Sequence, residues 1–110
     1  MASDYTALAG WNAACGKVDS MTPRQFSRIS KAISDGKRYR MLERIAANPG
    51  EVSCSQVRSG LGITAATCSH HIKELADAGL LEVRRAGKFG YLRLRKRVWR
   101  QYLTQLAKLG

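Results

Sequence analysis

The chain has 110 residues, 45% hydrophobic and 25% charged, and sets 19 Lys and Arg against 8 Asp and Glu for a formal net charge of +11. That length suits one domain with one modest core, and that composition excludes disorder throughout. No apolar run is long enough to span a bilayer, so the excess charge implies a polyanionic partner, either nucleic acid or an anionic membrane surface.

Residues 1–20 place Tyr5, Leu8, Trp11 or Asn12, and Cys15 at roughly helical spacing, with Gly16 as a natural end, and predict a short helix. They lack a basic segment followed by an apolar block, so they do not read as a secretory signal, and the cytoplasm is the expected compartment. Three cysteines, an odd number, argue against a disulfide framework there.

The next helix opens with Thr22 as N-cap and Pro23 at its first position, and carries Phe26, Ile29 and Ile33 on one face. Asp35 caps a further helix with Tyr39, Leu42, Ile45 and Ala46 as its apolar face, and Asn48-Pro49-Gly50 stops it. Ser53 and Gln56 have the spacing of a capping box, which predicts a short helix to Ser59.

The stretch SGLGIT (59–64) is then a tight turn, and Thr64 caps a longer helix. In it Cys68, Ile72 and Leu75 lie at i, i+4 and i+7 with His71 beside them, and Gly79 is the natural stop. Beyond it the chain alternates. Leu81, Val83, Leu92 and Leu94 point one way, Glu82, Arg84, Arg93 and Arg95 the other, with Ala86-Gly87-Lys88 at a hairpin tip. Trp99, Tyr102, Leu103, Leu106 and Leu109 form one stripe on a last helix.

The order α-α-α-α-β-β-α, mainly α with a small β-hairpin, is that of a winged helix-turn-helix. The predicted divisions are an N-terminal extension over 1–20, the winged domain over 21–95 and a C-terminal dimerisation helix over 96–110.

Chemistry concentrates after Val83, where Arg84, Arg85, Lys88, Arg93, Arg95, Lys96, Arg97, Arg100 and Lys108 meet no acid in the sequence. A duplex presents one charge per about 1.7 Å of axis, so such a row gains by displacing counterions. A membrane role would want large apolar residues beside the charge, and the tip offers only Phe89 and Tyr91. The plain alternative is a solvated basic face.

The helix before the hairpin has small or polar residues on its N-terminal half, namely Thr64, Ala65, Ala66, Thr67, Ser69 and His70, which suit entry into a major groove about 12 Å wide. Ala65 or Ala66 suits a thymine methyl, Thr67, Ser69 and His70 suit base edges or phosphate, and Lys73, Arg58 and Lys37 suit the backbone. Arg84, Arg85, Lys88 and Tyr91 complete the candidate DNA-binding set.

His71 sits about 100° round the helix from His70 and falls on the packed side, so the two do not grip one metal. Cys68 reads as a small core residue. Cys54 shares a face with Val57 and Leu61 but sits in a helix's first turn, where the dipole lowers a thiol's pKa. Cys15, Cys54 and Cys68 are the candidate sensing residues, against a purely structural role. Eight scattered acids and no nucleophile–base pair predict no enzyme, no cofactor and no metal site.

The stretches MTPRQFSRISKAISDGKRYRMLERI and SQVRSGLGITAATCSHHIKELADAGLLEVRRAGKFGYLRL resemble the bacterial ArsR-type family of dimeric winged-helix repressors, over about Met21 to Arg95. Asp35, Arg38, Leu61, Gly62, Thr67, Ser69, His71, Leu75, Ala78, Gly79 and Leu80 match the family's ordered pattern. Gly36 stands where the family has proline. Ser53 and Ser55 flank Cys54 where metal-sensing members carry a C-x-C pair, and the last helix lacks the Asp and His of other zinc-binding members.

The resemblance implies a homodimer on a pseudo-palindromic double-stranded operator, acting as a repressor relieved by thiol redox state, a thiophilic ligand or another inducer. The alternative is a winged-helix module that binds a protein or RNA without operator specificity.

Overall fold

A computed structural model of the chain describes residues 21–110, so the helix predicted within 1–20, with Cys15, lies outside the described residues. Helix α1 spans Pro23–Ile33, α2 Gly36–Ala46, α3 Cys54–Arg58, α4 Ala65–Asp77 and α5 Lys96–Ala107. Strand β1 is Val52–Ser53, β2 Leu81–Ala86 and β3 Phe89–Leu94.

The first four helices start at the side-chain caps the sequence supplies. Thr22, Asp35, Ser53 and Thr64 each accept from the backbone N–H three residues on, and Gln56 returns the bond to the Ser53 N–H. Helix α4 ends at Ala78, and Gly79 takes the left-handed conformation (φ +89°) that a side chain would resist.

The cap before α4 matters most for function, because it fixes where that helix starts. Thr64→Ala is expected to cost about 1 kcal/mol. That lowers the thermal midpoint by about 5 °C, read by circular dichroism.

The sheet has three strands, in the order β1-β3-β2, all antiparallel, rather than a bare hairpin. Strand β1 pairs Val52 with Leu92 and Ser53 with Tyr91. Two residues are too few to show an alternating pattern, so β1 leaves no signature in the sequence. Strands β2 and β3 pair from Leu81–Leu94 to Ala86–Phe89, and their link is the two-residue turn Gly87-Lys88. This hairpin is the wing.

Ile29, Met41, Ile45, Val57, Leu75, Leu80, Leu92 and Val98 are the largest side chains shut off from solvent, and they bring α1–α5 and the sheet onto one core. Met41 takes the inward place on α2 that periodicity gave to Tyr39, which is exposed. The two are about 200° apart on the helix, and the tyrosine hydroxyl favours the wet side.

Helix α1 holds the C-terminal end of α4: the Gln25 amide donates to the Ala78 carbonyl and Arg28 to that of Asp77, both at 3.3 Å. Helix α5 packs on α1 through Tyr102, which hydrogen-bonds Ser30 at 2.8 Å and lies against Phe26 and Trp99. Among the described residues no helix is long and apolar enough to cross a membrane.

Candidate nucleic-acid interface

Helix α4 divides cleanly by face. Cys68, His71, Ile72 and Leu75 are buried, while Thr64, Ala65, Ala66, Thr67, Ser69, His70 and Lys73 are exposed. The exposed set is small or polar over the first two turns, leaving the backbone free to approach a groove floor. Thr64 also donates its hydroxyl to Thr67 Oγ1 at 3.0 Å, so both threonines serve the cap as well as the surface. Lys73 pairs with Asp77 at 2.8 Å, one helical turn on, and the bond raises its pKa.

The wing is less uniformly cationic than its sequence. Arg84 makes a two-point pair with Glu51, at 2.6 and 3.3 Å, and lies 4.6 Å from the centre of the Tyr91 ring. Arg93 pairs with Glu82 across the hairpin at 2.9 Å. Glu51 is 33 positions from Arg84, so a count of acids after Val83 could not reveal it. Lys37, Arg58, Arg85 and Lys88 form no ion pair among the described residues. Lys37 reaches from α2 towards the turn at Gly62, beside the start of α4.

A cleft of about 200 Å³ opens between α3, the N-terminal half of α4 and the wing. Cys54, Cys68, Arg58, Ser69, Lys88 and Gly90 are among the residues that line it. Of the two thiols, Cys68 is 3% exposed and Cys54 is half-buried. Burial pushes both thiols above their ordinary pKa. For Cys54 this outweighs Arg85, which pulls the other way, and for Cys68 the neighbouring Cys54 adds to it. The helix-start argument for a lowered Cys54 pKa is therefore reversed by desolvation.

Gly90 explains how the sulfur fits. A Cβ on Gly90 would lie 2.9 Å from Cys54 Sγ, so the wing closes on the thiol only because this position has no side chain. No spacing rule reveals this approach, which brings together residues 36 positions apart.

A helix-turn-helix domain family matches residues 33–84, the span from the end of α1 into the wing. The uncharacterised HTH-type transcriptional regulator YceK of Bacillus subtilis is 32% identical over 77 residues, 70% of this chain and 77% of the relative. Rv0324 of Mycobacterium tuberculosis, another HTH-type transcriptional regulator, is 31% identical over 64% of this chain, which spans 30% of that longer protein.

Among solved structures, the homodimeric winged helix-turn-helix DNA-binding domain (fragment 1–100) Mb0332 of Mycobacterium bovis, described as a possible ArsR-family transcriptional regulator, is 27% identical. It superposes with TM-score 0.61 over 83% of this chain and 90% of its own. This chain belongs to the ArsR-type winged helix-turn-helix regulators. The ArsR family regulator RHA00566 shares the fold at TM-score 0.73 and 21% identity, over 82% of this chain and 91% of its own.

Two residues of the ArsR-type pattern, Arg38 and His71, meet in space. Arg38 Nε donates to His71 Nδ1 at 3.1 Å and also reaches the Ala32 carbonyl, so α1, α2 and α4 converge on one guanidinium. His71 is 7% exposed, and burial, then the Arg38 charge, depress its pKa below 6.5 against a smaller opposing pull from Asp35.

Because the unfolded chain binds this proton more readily, the stability His71 contributes is complete above about pH 6.5 and is lost as pH falls through its lower folded value. The denaturation midpoint is expected to drop between pH 7 and 5, and His71→Gln to flatten that slope. Asp35, whose carboxyl is held low chiefly by the Arg38 backbone N–H, loses its share only in more acid solution.

At the ArsR-type proline position, Gly36 opens α2, and a Cβ added there would meet no other part of the described chain within 4 Å. The first helical position tolerates either residue.

Proposed function

We propose that this chain is a homodimeric repressor that occupies a pseudo-palindromic operator in double-stranded DNA, with release governed by thiol chemistry. The observation that carries the reading is the exposed, small-residue N-terminal face of α4 lying beside Arg58 and Lys88. In it Ala65, Ala66, Thr67, Ser69 and His70 meet base edges, and Lys37, Arg58, Arg85 and Lys88 hold the flanking phosphates. Arg84 and Tyr91 act as a unit braced by Glu51, and Lys73 contributes only when it leaves Asp77.

Leu103, Leu106 and Leu109 on and just beyond α5 are 44%, 36% and 85% exposed, an apolar edge that supports a two-fold partner there. Mb0332 is itself a homodimer. Two-fold symmetry then sets the two α4 helices one DNA turn apart, about 34 Å.

Sedimentation with and without the chain's own promoter duplex tests the assembly. Two chains per duplex are expected, and Leu103→Glu with Leu106→Glu returns the free protein to a monomer. One chain per duplex, or a dimer indifferent to those changes, contradicts it. Deleting the gene is expected to raise transcription from the promoter; a fall would make the protein an activator.

A further inference from the structure

We propose that Arg38 and His71 are positioning residues for DNA binding: their hydrogen bond sets α2 and α4 together, and a proton on His71 undoes it and lowers affinity for the duplex. This rests on the DNA-binding reading above.

The bond demands a neutral imidazole. Arg38 Nε donates to His71 Nδ1 at 3.1 Å, so Nδ1 presents its lone pair and the ring proton sits on Nε2. A guanidinium keeps its charge and offers donors only. A proton on Nδ1 therefore sets two donors and two cations against each other at that distance. His71 is buried, so water does little to screen them. One of the two side chains has to move.

Neither moves alone. Arg38 Nη1 also donates to the Ala32 carbonyl on α1, and the Arg38 backbone N–H donates to Asp35, the cap of α2. His71 lies on the inward face of α4 with Cys68, Ile72 and Leu75. Displacing either partner shifts α4 against α1 and α2. The chain neighbours of the pair both belong to the surface assigned to DNA. Lys37, beside Arg38, is exposed and reaches towards the turn at Gly62, and His70, beside His71, is exposed on the outer face of α4. One broken bond thus misaligns a phosphate contact and a base contact together.

The sign of the effect follows from the groups that face the ring. Burial and then the Arg38 charge disfavour the proton, Asp35 at the α2 cap favours it, and His70 and Lys37 add smaller opposition. The bond is therefore complete at neutral pH and is lost as pH falls through a folded value below 6.5. His70 acts in the opposite sense, because a charged His70 on the DNA-facing surface gains from phosphate. By reciprocity, DNA that needs the bond must lower the pKa of His71, whereas a polyanion beside an uninvolved imidazole raises it.

The test uses the full chain carrying His70→Gln, which leaves His71 as the remaining imidazole of the protein's two. Nitrogen-15 NMR of that ring reads its tautomer and its pKa, with and without the promoter duplex. Anisotropy follows affinity from about pH 7 to 5, where carboxylates and amines titrate little, and circular dichroism checks that the chain is folded at each pH. The expected results are an Nε2–H tautomer at neutral pH and a pKa that falls on binding DNA. Below that pKa, affinity declines towards about tenfold per pH unit for each chain. His71→Gln in the same background offers Arg38 an acceptor with no proton to gain, and is expected to lose the decline. Arg38→Met is expected to bind at neutral pH as weakly as the protonated chain.

A proton on Nδ1 at neutral pH, a pKa that rises on binding DNA, a ring that stays neutral throughout the range, or an equal decline in the His71→Gln chain would each overturn the proposal. A native chain that binds no duplex at neutral pH overturns the DNA reading itself, a failure told apart because NMR of the free chain reports the bond without DNA.

Discussion

Affinity for duplex DNA is expected to fall about 10⁴-fold as salt rises from about 50 to 200 mM. The size of the effect comes from counting cations in space rather than in sequence. Lys73, Arg84 and Arg93 are engaged by Asp77, Glu51 and Glu82, so using them against phosphate means breaking a pair already made. Lys37, Arg58, Arg85 and Lys88 carry no such partner among the described residues; Lys37, Arg58 and Lys88 lie beside the start of α4, and Arg85 beside Gly90 on the wing. Four per protomer give about eight phosphates per dimer, hence a logarithmic slope near −7.

Anisotropy titrations at several salt concentrations measure that slope. Lys37→Ala or Lys88→Ala is expected to make it shallower by about 2 in the dimer, one unit per chain. A slope steeper than about −12 would mean that the paired arginines join in. One shallower than about −3 would mean that this face does not hold a backbone.

Leu75→Ala is the second large effect. Leu75 is fully buried on the inward face of α4, below the surface assigned to DNA. Removing it leaves a cavity that the helix cannot close without giving up its other anchors, Cys68, His71 and Ile72. The expected loss is about 3 kcal/mol, a fall of about 15 °C in the thermal midpoint. Lys73→Ala, two residues away on the outer face, is expected to change stability by less than about 0.5 kcal/mol, since its pair with Asp77 is largely exposed. Equal losses in the two variants would mean that α4 does not present these faces.

What the sequence revealed was local. Thr22, Asp35, Ser53 with Gln56, Thr64 and Gly79 mark helix ends because each acts on backbone within three or four residues. Thr64 and Gly79 alone mark where α4 starts and stops. Its inward and outward faces follow from periodicity, and so do the burial of Cys68 and the packed place of His71.

What stayed hidden depends on partners far along the chain. Periodicity gave His71 a packed place but not its partner Arg38, 33 residues earlier, and the same separation hid the pair between Glu51 and Arg84. The close approach of Cys54 to Gly90 needs the wing folded back over α3, which no spacing rule contains. Met41 in place of Tyr39 was a competition between two faces of one helix, decided by the tyrosine hydroxyl.

The central claim is that the exposed face of α4 reads a DNA sequence, with the wing supplying grip. The most direct measurement compares affinity for the chain's own promoter with that for a scrambled duplex of equal length, by anisotropy, at one salt concentration and with thiols reduced. Preference for the promoter by about 10³-fold or more is the expected result, with Thr67→Ala and His70→Ala narrowing the ratio while leaving scrambled-duplex binding unchanged. Equal affinity for both duplexes would contradict the account, and would make the +11 charge a means of steering a module towards a protein or RNA partner.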